Sequence, residues 1–546
     1  MNFIHKTSGF IIIILLGAIP LYPLLFSGLP LTHDGQDHVA RIANFYQSLS
    51  EGNIIPRWAA HLNWGYGHPI LMFLYPLPSY AVSAVHYIGF SFVDSLKIIF
   101  GLTFILSGIS MYLWVRNVFG EKSGIIAGVL YMLAPYRFVD LYVRGAIGEH
   151  VAFLFLPLVF YFMYKIATVP KKYIMDVGLV FSLAGLLLSH NAISLMFIPV
   201  ILTYGGILIF YTKKKKKLFL KFCAFGLLGI GVSAFFVIPA FFEGKYTLRD
   251  IVTSGGEYKD RFISLISLVS PVWSFGGSDL LSKQIGYIQL LGILISFFVI
   301  KKIKKENRLL LISLLVILFS SLFIMLPVSD FIWTRVSILQ KFQFPWRFLS
   351  VVVFTTAVLS SATVLLFKSK KYAWYYTIVI CVAALLVYAP YYKVQGYQYK
   401  PESFYSGIYD STTDTGESAP IWSIRFMEKR PLNNTAFITG KGDIKLISRD
   451  STTRLYEVHV ETPSARIREN TLYFPNWSVY VNGKEVPIEF QDQMNRGLIT
   501  YTIEKGRNQV LIKFEDTRLR VLSNLITIAS LIVLVIFFIV SKFKRR

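Results

Sequence analysis

The sequence predicts a polytopic α-helical membrane protein with a small β-sandwich domain near its C-terminal end. Its 546 residues are 54% hydrophobic and only 16% charged, and the mean hydropathy is +0.54, which is too apolar for a water-soluble chain of this length. Many stretches approach or exceed the roughly 18 to 20 apolar residues that cross a bilayer. The net charge is +24, and most of the basic residues lie where those stretches end. That distribution indicates cytoplasmic turns and attraction to anionic lipid, and argues against nucleic acid as a partner.

The positions of the basic residues also predict how the chain is oriented in the membrane. Lys6 precedes the first apolar segment, which places the N-terminus in the cytoplasm and residue 34 outside. If twelve segments cross the plasma membrane, every lysine-rich turn and both termini are cytoplasmic, so the chemistry is expected on the extracytoplasmic face. The twelve segments are residues 10–26, 96–115, 122–138, 148–168, 174–189, 191–211, 218–241, 285–300, 308–327, 347–367, 373–391 and 521–541.

A thirteenth apolar stretch, residues 69–90, is predicted to lie in the membrane interface or to re-enter it. Counting it as a crossing would invert every later loop and put the lysines of 213–217 outside. Pro76 and Pro78 also break its start.

The predicted organisation has three parts. Residues 1–391 form a multi-span domain with a large first outer loop at 28–93, residues 392–520 form an extracytoplasmic β-rich domain, and residues 521–546 form a final helix and a basic cytoplasmic tail. Strands are indicated by alternation at 455–460, 478–481, 497–501 and 510–514. Asn482-Gly483 is a strong signal for a two-residue hairpin. Both cysteines, Cys223 and Cys381, lie in apolar segments, so a disulfide framework is not expected.

The first outer loop begins with a polar cluster, Asp34, Asp37, His38 and Arg41, whose spacing places these side chains on one face of a helix. A carboxylate there can remove a proton from a hydroxyl, and Asp34 and Asp37 can hold a divalent metal such as Mg²⁺ or Mn²⁺. His38 and Arg41 can orient that carboxylate or bind an anionic phosphate. The alternative is a helix start, with Thr32 or Asp34 as the cap and Asp37 near the positive end of the dipole.

Aromatic, glycine and cationic residues mix in the rest of this loop. Aromatic faces suit sugar rings because they desolvate apolar C–H faces, although aromatic side chains also anchor interfaces without binding a ligand. His190 lies in a turn between two apolar segments and has two interpretations of its own, a functional site or a structural turn. The residues predicted to contact substrate are Arg57, Trp58, Trp64, Tyr66, His68, Tyr75 and His190.

Charged residues also mark the ends of later segments. Arg144 and Glu149 lie in a short loop, where ionisable groups are costly unless they pair or work; a simple ion pair between them is the alternative to a site. Arg347 departs from the positive-inside pattern, which points to an anionic partner or to lipid headgroups. Because no Walker, Rossmann or paired-cysteine zinc motif is present, a transferred group has to arrive from the membrane or from outside.

These motifs resemble those of GT-C integral-membrane glycosyltransferases, and more closely the prokaryotic membrane proteins labelled 6-pyruvoyl-tetrahydropterin synthase-related. Singly the motifs are weak, but in this order they are fairly specific. They are Asp34-Gly35, His38, Arg41, Pro56-Arg57-Trp58, Gly65-Tyr66-Gly67, Tyr75-Pro76-Leu77-Pro78, Tyr142-Val143-Arg144-Gly145-Ala146, Gly148-Glu149, Ser189-His190-Asn191, Phe344-Pro345-Trp346-Arg347 and Tyr473-Phe474-Pro475-Asn476-Trp477.

The resemblance implies sugar transfer outside the cytoplasm from a polyprenyl-phosphate-linked donor, with Asp34 at the position of the catalytic aspartate. Asp37 is not part of the pattern and ranks below it. Pterin chemistry is a poor inference from the label, because the nine histidines show no zinc-binding grouping.

The leading hypothesis is a glycosyltransferase acting on an extracytoplasmic acceptor, which is a cell-envelope polymer, a lipid or a protein. Asp34 activates the acceptor hydroxyl or binds a metal, His38 and Glu149 orient these groups, and the β-rich domain helps to select the acceptor. The cations expected at the donor phosphate are Arg41, Arg144 and Arg347. No covalently bound cofactor is expected. Two rivals remain: a lipid or glycolipid transporter or flippase, whose ionisable groups should lie midway along the spans, and a non-catalytic scaffold for envelope assembly.

Overall fold

A computed structural model describes residues 2–169, 173–253, 258–277 and 280–543, so the end of the predicted basic tail, residues 544–546, lies outside the described chain. The helices are α1 Asn2–Ala18, α2 Gly35–Ser50, α3 Leu77–Tyr87, α4 Phe92–Phe119, α5 Glu121–Met132, α6 Pro135–Phe138, α7 Ile147–Thr168, α8 Tyr173–Ser189, α9 Asn191–Tyr211, α10 Lys215–Val232, α11 Ala234–Phe242, α12 Arg249–Thr253, α13 Tyr287–Ile300, α14 Lys305–Ile324, α15 Asp330–Arg335, α16 Ser337–Gln340, α17 Leu349–Ala362, α18 Lys370–Tyr388, α19 Glu402–Ser406 and α20 Arg518–Phe543.

Helices lie on all twelve segments predicted to cross the membrane. Within the described residues, eight are long and apolar enough to cross, and ten are if each of two bent pairs counts as one span. The first pair bends by 45° between α5 and the segment Pro135–Arg144, and the second by 75° between α10 and α11. The remaining two, α8 and α13, are shorter apolar helices. At 1.5 Å per residue, the 14 residues of α13 reach only about 21 Å.

Residues 69–90 do not form a span. They contain a short 3₁₀ turn, Pro69–Met72, and the 11-residue helix α3, which extends only about 16 Å, or half of the hydrocarbon thickness. Pro78 stands in the first turn of α3, where a missing N–H costs no helical hydrogen bond. The interpretation of this stretch as a non-crossing helix agrees with the structure.

The β-rich region is one six-stranded antiparallel sheet, where the sequence suggested two packed sheets. Its strand order is β3-β5-β8-β6-β7, with β4 also paired to β5. Asn482 and Gly483, both with positive φ, form the predicted hairpin turn between β6 and β7. The strands of the chain are β1 Leu29–Pro30, β2 Tyr397–Gln398, β3 Thr435–Thr439, β4 Gly442–Arg449, β5 Thr453–Leu472, β6 Trp477–Val481, β7 Lys484–Val486 and β8 Leu498–Phe514.

Two strands are longer than the sequence suggested. The stretches 497–501 and 510–514, expected as separate strands, belong to β8, and 455–460 is only the first part of the 20-residue β5. The register between β5 and β8 shifts between Val460 and Ser464. Pro463 lies inside that irregularity, which is where a residue without an N–H can sit in a paired strand.

The second half of the first outer loop packs into the sheet. Trp58 is fully buried, with ring centroids 5.3 Å from Trp477 and 5.4 Å from Phe514. The Leu472 N–H donates to the carbonyl of Tyr66 at 2.9 Å. Because β1, which follows the first span, also pairs with β2, the first loop and the chain after α18 form one continuous structure at one end of the helical bundle.

Candidate active site

Asp34 lies at the start of α2 with its backbone fixed and its carboxylate open. The N–H groups of His33 and Asp34 donate to the carbonyls of Val143 and Arg144, both at 2.9 Å. The hydroxyl of Thr32, at 3.1 Å, accepts from the Gly35 N–H, so Thr32 supplies the cap and Asp34 does not. The Asp34 side chain is exposed and makes no hydrogen bond or ion pair with any residue that the structure describes.

Gly145 allows this close approach. Its φ is +69°, and an added Cβ would lie 2.4 Å from the Thr32 hydroxyl and 3.2 Å from the Gly35 nitrogen. A side chain at this position would therefore push the start of α2 away from the turn that carries Arg144. Backbone contacts therefore hold Asp34 next to the turn that carries Arg144.

Arg144 is the centre of a buried ionic network. One of its guanidinium nitrogens lies 2.5 Å from Asp140 and 2.7 Å from Glu149, and both carboxylates are fully buried. The hydroxyls of Tyr136 and Ser350 donate to Glu149 at 2.9 and 2.7 Å. Arg144 is thus shared between two carboxylates, as the ion-pair alternative expected, and is not a free cation.

Asp140 was absent from the predicted site although its spacing carried a signal. It stands four residues before Arg144, the separation that brings two side chains together on a helix. Ser350 and Trp346, whose ring centroid lies 4.8 Å from the Arg144 guanidinium, come from a segment 200 residues further on. Trp346 belongs to the quoted motif Phe344-Pro345-Trp346-Arg347, but no local pattern indicated that either residue contacts this network.

His38 and Arg41 form a second, adjacent pair on α2. Both are buried, and an Arg41 nitrogen donates to His38 Nδ1 at 3.0 Å. Burial, and next the positive charge of Arg41, hold the pKa of His38 well below its usual range. His38 is therefore neutral, and with Nδ1 occupied as an acceptor its Nε2 carries the proton. It is suited to orienting a partner rather than to protonating one.

A segment after α18, residues 409–417, closes over α2. Arg41 donates to both the hydroxyl, at 3.1 Å, and the carbonyl of Thr413. Thr413 has a φ of +62°, which is unfavourable for a β-branched residue and is held here by these contacts. No sequence pattern indicated this contact, because the partners are 372 residues apart.

Asp37 is engaged by the same segment. The Tyr409 hydroxyl donates to the Asp37 carboxylate at 2.8 Å, and Gln36 donates to that hydroxyl at 2.7 Å. Burial raises the pKa of Asp37, against the opposing effects of the Tyr409 hydrogen bond and of Arg41. The two aspartates of α2 thus differ: Asp37 is half-buried and bonded, and Asp34 is open.

Tyr75 and His190 stack beside this cluster, with ring centroids 4.9 Å apart. Gly148 makes room for them, since a Cβ on it would lie 2.1 Å from the Tyr75 ring. His190 Nδ1 accepts from the Ile193 N–H at 3.3 Å, so it caps α9 as well as facing Tyr75. Tyr75, His38 and Arg41 line a small cavity of about 10 Å³, room for about one water.

Arg347 lies at the same end of the bundle. It donates to the Phe342 carbonyl at 3.0 Å and its guanidinium stands 5.0 Å from the Phe344 ring. Its Nε has no hydrogen-bond partner in the described part of the chain. Arg347 lies in the 3₁₀ turn Pro345–Phe348, which leads into α17, the helix whose Ser350 donates to Glu149. The structure therefore brings together eight predicted site residues: Asp34, His38, Arg41, Tyr75, Arg144, Glu149, His190 and Arg347.

The other predicted substrate contacts lie with the sheet. Arg57 forms an ion pair with Asp516 at 2.8 Å, while Trp58 and Tyr66 pack into the sheet core. Trp64 has a φ of +60° and its N–H donates to the Tyr409 carbonyl.

His68 is fully buried, and neither ring nitrogen has a hydrogen-bond partner within the described residues. Burial lowers the pKa of His68 to about 4.

Among the residues that the structure describes, no three His, Cys, Asp or Glu side chains converge as a metal site. Mg²⁺ commonly uses one or two protein carboxylates and completes its shell with water and substrate phosphate. Asp34, exposed and unbonded, has that donor chemistry.

Comparison with known proteins places the chain among membrane proteins. A family described as 6-pyruvoyl-tetrahydropterin synthase related domain, membrane protein, matches residues 71–392. A protein of Lactococcus lactis subsp. cremoris (strain MG1363), described as uncharacterized, is 26% identical over 246 residues, covering 43% of this chain and 39% of that protein.

Two solved structures are similar at low identity. The arabinofuranosyltransferase AftD from Mycobacteria is 14% identical with a TM-score of 0.46, covering 70% of this chain and 27% of that one. ArnT from Cupriavidus metallidurans, bound to undecaprenyl phosphate, is 13% identical with a TM-score of 0.39, covering 73% of this chain and 68% of that one. The chain thus spans less than half the length of the Lactococcus relative and of AftD.

Proposed function

Since the chain belongs to the family of membrane proteins described as 6-pyruvoyl-tetrahydropterin synthase related, we propose that within this family it is a glycosyltransferase. It moves a sugar from a polyprenyl-phosphate-linked donor to a hydroxyl of an extracytoplasmic acceptor, a cell-envelope polymer, lipid or protein. The observation that carries the proposal is the open carboxylate of Asp34, held by its backbone beside Arg144 and next to His38 and Arg41.

In the proposed step, Asp34 accepts the proton of the acceptor hydroxyl while that oxygen forms the new bond to the anomeric carbon of the sugar. The bond between that carbon and the donor phosphate oxygen breaks, and its electron pair leaves with the polyprenyl phosphate. An exposed carboxylate without a protein hydrogen bond keeps its lone pairs available for the acceptor. Asp37, which already accepts from Tyr409, does not.

The leaving phosphate requires positive charge, and the arginines divide this role. Arg347 has a guanidinium nitrogen without a partner among the residues that the structure describes, and Arg41 can exchange its bonds to Thr413 for bonds to phosphate oxygens. Arg144, balanced by Asp140 and Glu149, holds the turn that fixes Asp34 and is proposed to act as a positioning residue. Tyr75 and His190 provide an aromatic surface beside these groups that suits a sugar ring.

We propose Asp34 as the ligand of a divalent cation, with the neighbouring carboxylate of Asp37 as the second candidate ligand. Mg²⁺ or Mn²⁺ bound at Asp34 would neutralise charge on the donor phosphate. Transfer measured in EDTA and again with either metal restored decides whether the cation is required.

The test is transfer by the purified full chain in proteoliposomes, supplied with a panel of polyprenyl-phosphate sugars labelled in the sugar. A transferase releases polyprenyl phosphate and moves label to an acceptor on the face that carries Asp34. A flippase instead moves labelled donor across the bilayer with its sugar bond intact. Deletion in cells adds a second measurement: accumulation of a lipid-linked sugar supports transfer, whereas unchanged glycans support a scaffold.

A further inference from the structure

A second cavity lies at the opposite end of the bundle from Asp34. The 21-residue helix α9 separates His190 from this region by about 30 Å. The cavity has a volume of about 750 Å³, and its described lining includes four lysines and one glutamate, Glu306. The lysines are Lys213, Lys214, Lys217 and Lys221. One of the lysines, Lys221, is paired with Asp176.

The mouth of this cavity is ionic and its interior is apolar. Lys221 pairs with Asp176 at 2.9 Å, which fixes its ammonium at the rim. The inner wall is formed by Tyr204, Ile207, Leu208 and Leu310 from α9 and α14. A ligand that fits both parts carries negative charge at one end and hydrocarbon at the other.

A separate apolar groove opens beside the cavity. It has a volume of about 600 Å³ and is lined by Leu220, Ala224, Phe225 and Phe537, together with lysines. Two of those lysines, Lys217 and Lys221, also line the first cavity. Two hydrocarbon-lined spaces therefore meet at one pair of cations.

From this arrangement we propose a structural binding site for a two-chain anionic phospholipid. Its phosphate lies against Lys217 and Lys221, with Lys213 and Lys214 beside it in the lining of the same cavity. One acyl chain enters the cavity towards Tyr204, and the other follows the groove along Phe225. Membrane orientation alone accounts for lysines at this end of the helices. It does not account for two apolar spaces that share the same lysines, which is the pattern of an intramembrane headgroup pocket. The proposal does not depend on sugar transfer.

The proposed phospholipid site is tested by native mass spectrometry of the purified full chain with added dioleoylphosphatidylglycerol or dioleoylphosphatidylcholine. The wild type is expected to bind the glycerol lipid at least tenfold more tightly than the choline lipid. Each lysine near an anionic headgroup contributes roughly a fivefold gain in affinity. The triple variant Lys213→Gln, Lys214→Gln, Lys217→Gln is therefore expected to lose about a hundredfold.

The matched control removes the same charge from another basic turn. Lys368→Gln, Lys370→Gln, Lys371→Gln changes three exposed lysines that line neither space, and its affinity is expected to stay within twofold of the wild type. Ala224→Trp fills the groove without altering charge and is expected to weaken phosphatidylglycerol about tenfold.

Equal losses in the two triple variants would overturn the site, because they would show an effect of total charge. Unchanged binding in Ala224→Trp would overturn the role of the groove. Because the proposed donor site lies at the other end of the bundle, only binding that is lost in the Lys213→Gln, Lys214→Gln, Lys217→Gln variant reports on this site. If that variant lost undecaprenyl phosphate, which has one chain, and kept phosphatidylglycerol, a two-chain ligand would be contradicted. Size-exclusion profiles equal to that of the wild type exclude misfolding as the cause of a loss.

Discussion

Two arginines seven residues apart provide a direct test of the buried ionic network. Arg144 and Arg137 are both buried, but of the two only Arg144 contacts carboxylates of the described chain, those of Asp140 and Glu149. Arg137 instead lies 4.0 Å from the Phe153 ring, and two of its three guanidinium nitrogens have no hydrogen-bond partner among the residues that are described. Replacing each by methionine removes the charge and keeps an unbranched side chain. We predict that the two substitutions have very different costs.

The expected magnitudes follow from these contacts. Removing Arg144 leaves two carboxylates buried without their cation, which costs about 3–5 kcal/mol of unfolding free energy. Removing Arg137 loses a cation–π contact of about 2 kcal/mol. It also relieves unpartnered buried nitrogens, at about 1–3 kcal/mol for such a group. Arg137→Met is therefore expected to lie near zero, at least 2 kcal/mol milder than Arg144→Met.

Unfolding in mixed micelles with increasing SDS, followed by tryptophan fluorescence, measures the difference. A third variant, combining Arg144→Met with Asp140→Asn and Glu149→Gln, removes the stranded charges and should recover at least half of the loss. If this variant is as unstable as Arg144→Met alone, the cost arises from packing and the electrostatic reasoning is refuted. Equal costs for Arg137→Met and Arg144→Met would refute it as well.

Two further predictions concern His68 and Gly148. The pKa of His68 is lowered to about 4 in the folded protein, whereas in the unfolded chain it is about 6.5. Below pH 6.5 the unfolded chain therefore binds a proton at His68 that the folded protein does not bind. The free energy of unfolding falls as the pH drops, by about 2 kcal/mol at pH 5. The variant His68→Leu should lack this part of the pH dependence, and an unchanged slope in SDS unfolding between pH 7 and 5 would contradict the account. Gly148→Ala places a methyl group against the Tyr75 ring and should cost about 1–3 kcal/mol and lower transfer. Gly206→Ala, with open space around its Cβ, should be neutral or stabilising by up to about 1 kcal/mol, so similar behaviour of the two would count against the packing argument.

Hydropathy and charge predicted where the helices lie, because crossing a bilayer requires a long apolar run. The same signals did not show that α10 and α11 meet at 75° or that α13 has only 14 residues. Those features depend on where the chain breaks within an apolar segment. The sheet was predicted from alternation, but the polar middle of β8 hid the continuity of that strand.

The candidate site was predictable where its residues are close in sequence. The spacing in α2 placed Asp34, His38 and Arg41 together, and the short loop supplied Arg144 and Glu149. The bond from Arg41 to Thr413 is a tertiary contact between distant residues, and such a contact leaves no pattern in a single sequence.

The aromatic residues of the first loop show where amino-acid composition is not enough to predict a role. Trp58 and Tyr66 have the composition of a sugar platform, yet both pack into the sheet core. Composition alone does not separate a ring that stacks on a ligand from one that fills a core. Burial distinguishes these two from Tyr75, which stacks on His190 beside the ionic cluster.

The most direct test of the central claim compares the two aspartates of α2 in one assay. Asp34→Asn and Asp37→Asn each remove one carboxylate from the same helix, and the transfer rate is measured in proteoliposomes with a labelled polyprenyl-phosphate sugar. We predict that Asp34→Asn lowers the rate by at least a hundredfold, within the range contributed by a general base, while Asp37→Asn stays within about tenfold of the wild type. Full transfer by Asp34→Asn would contradict the account.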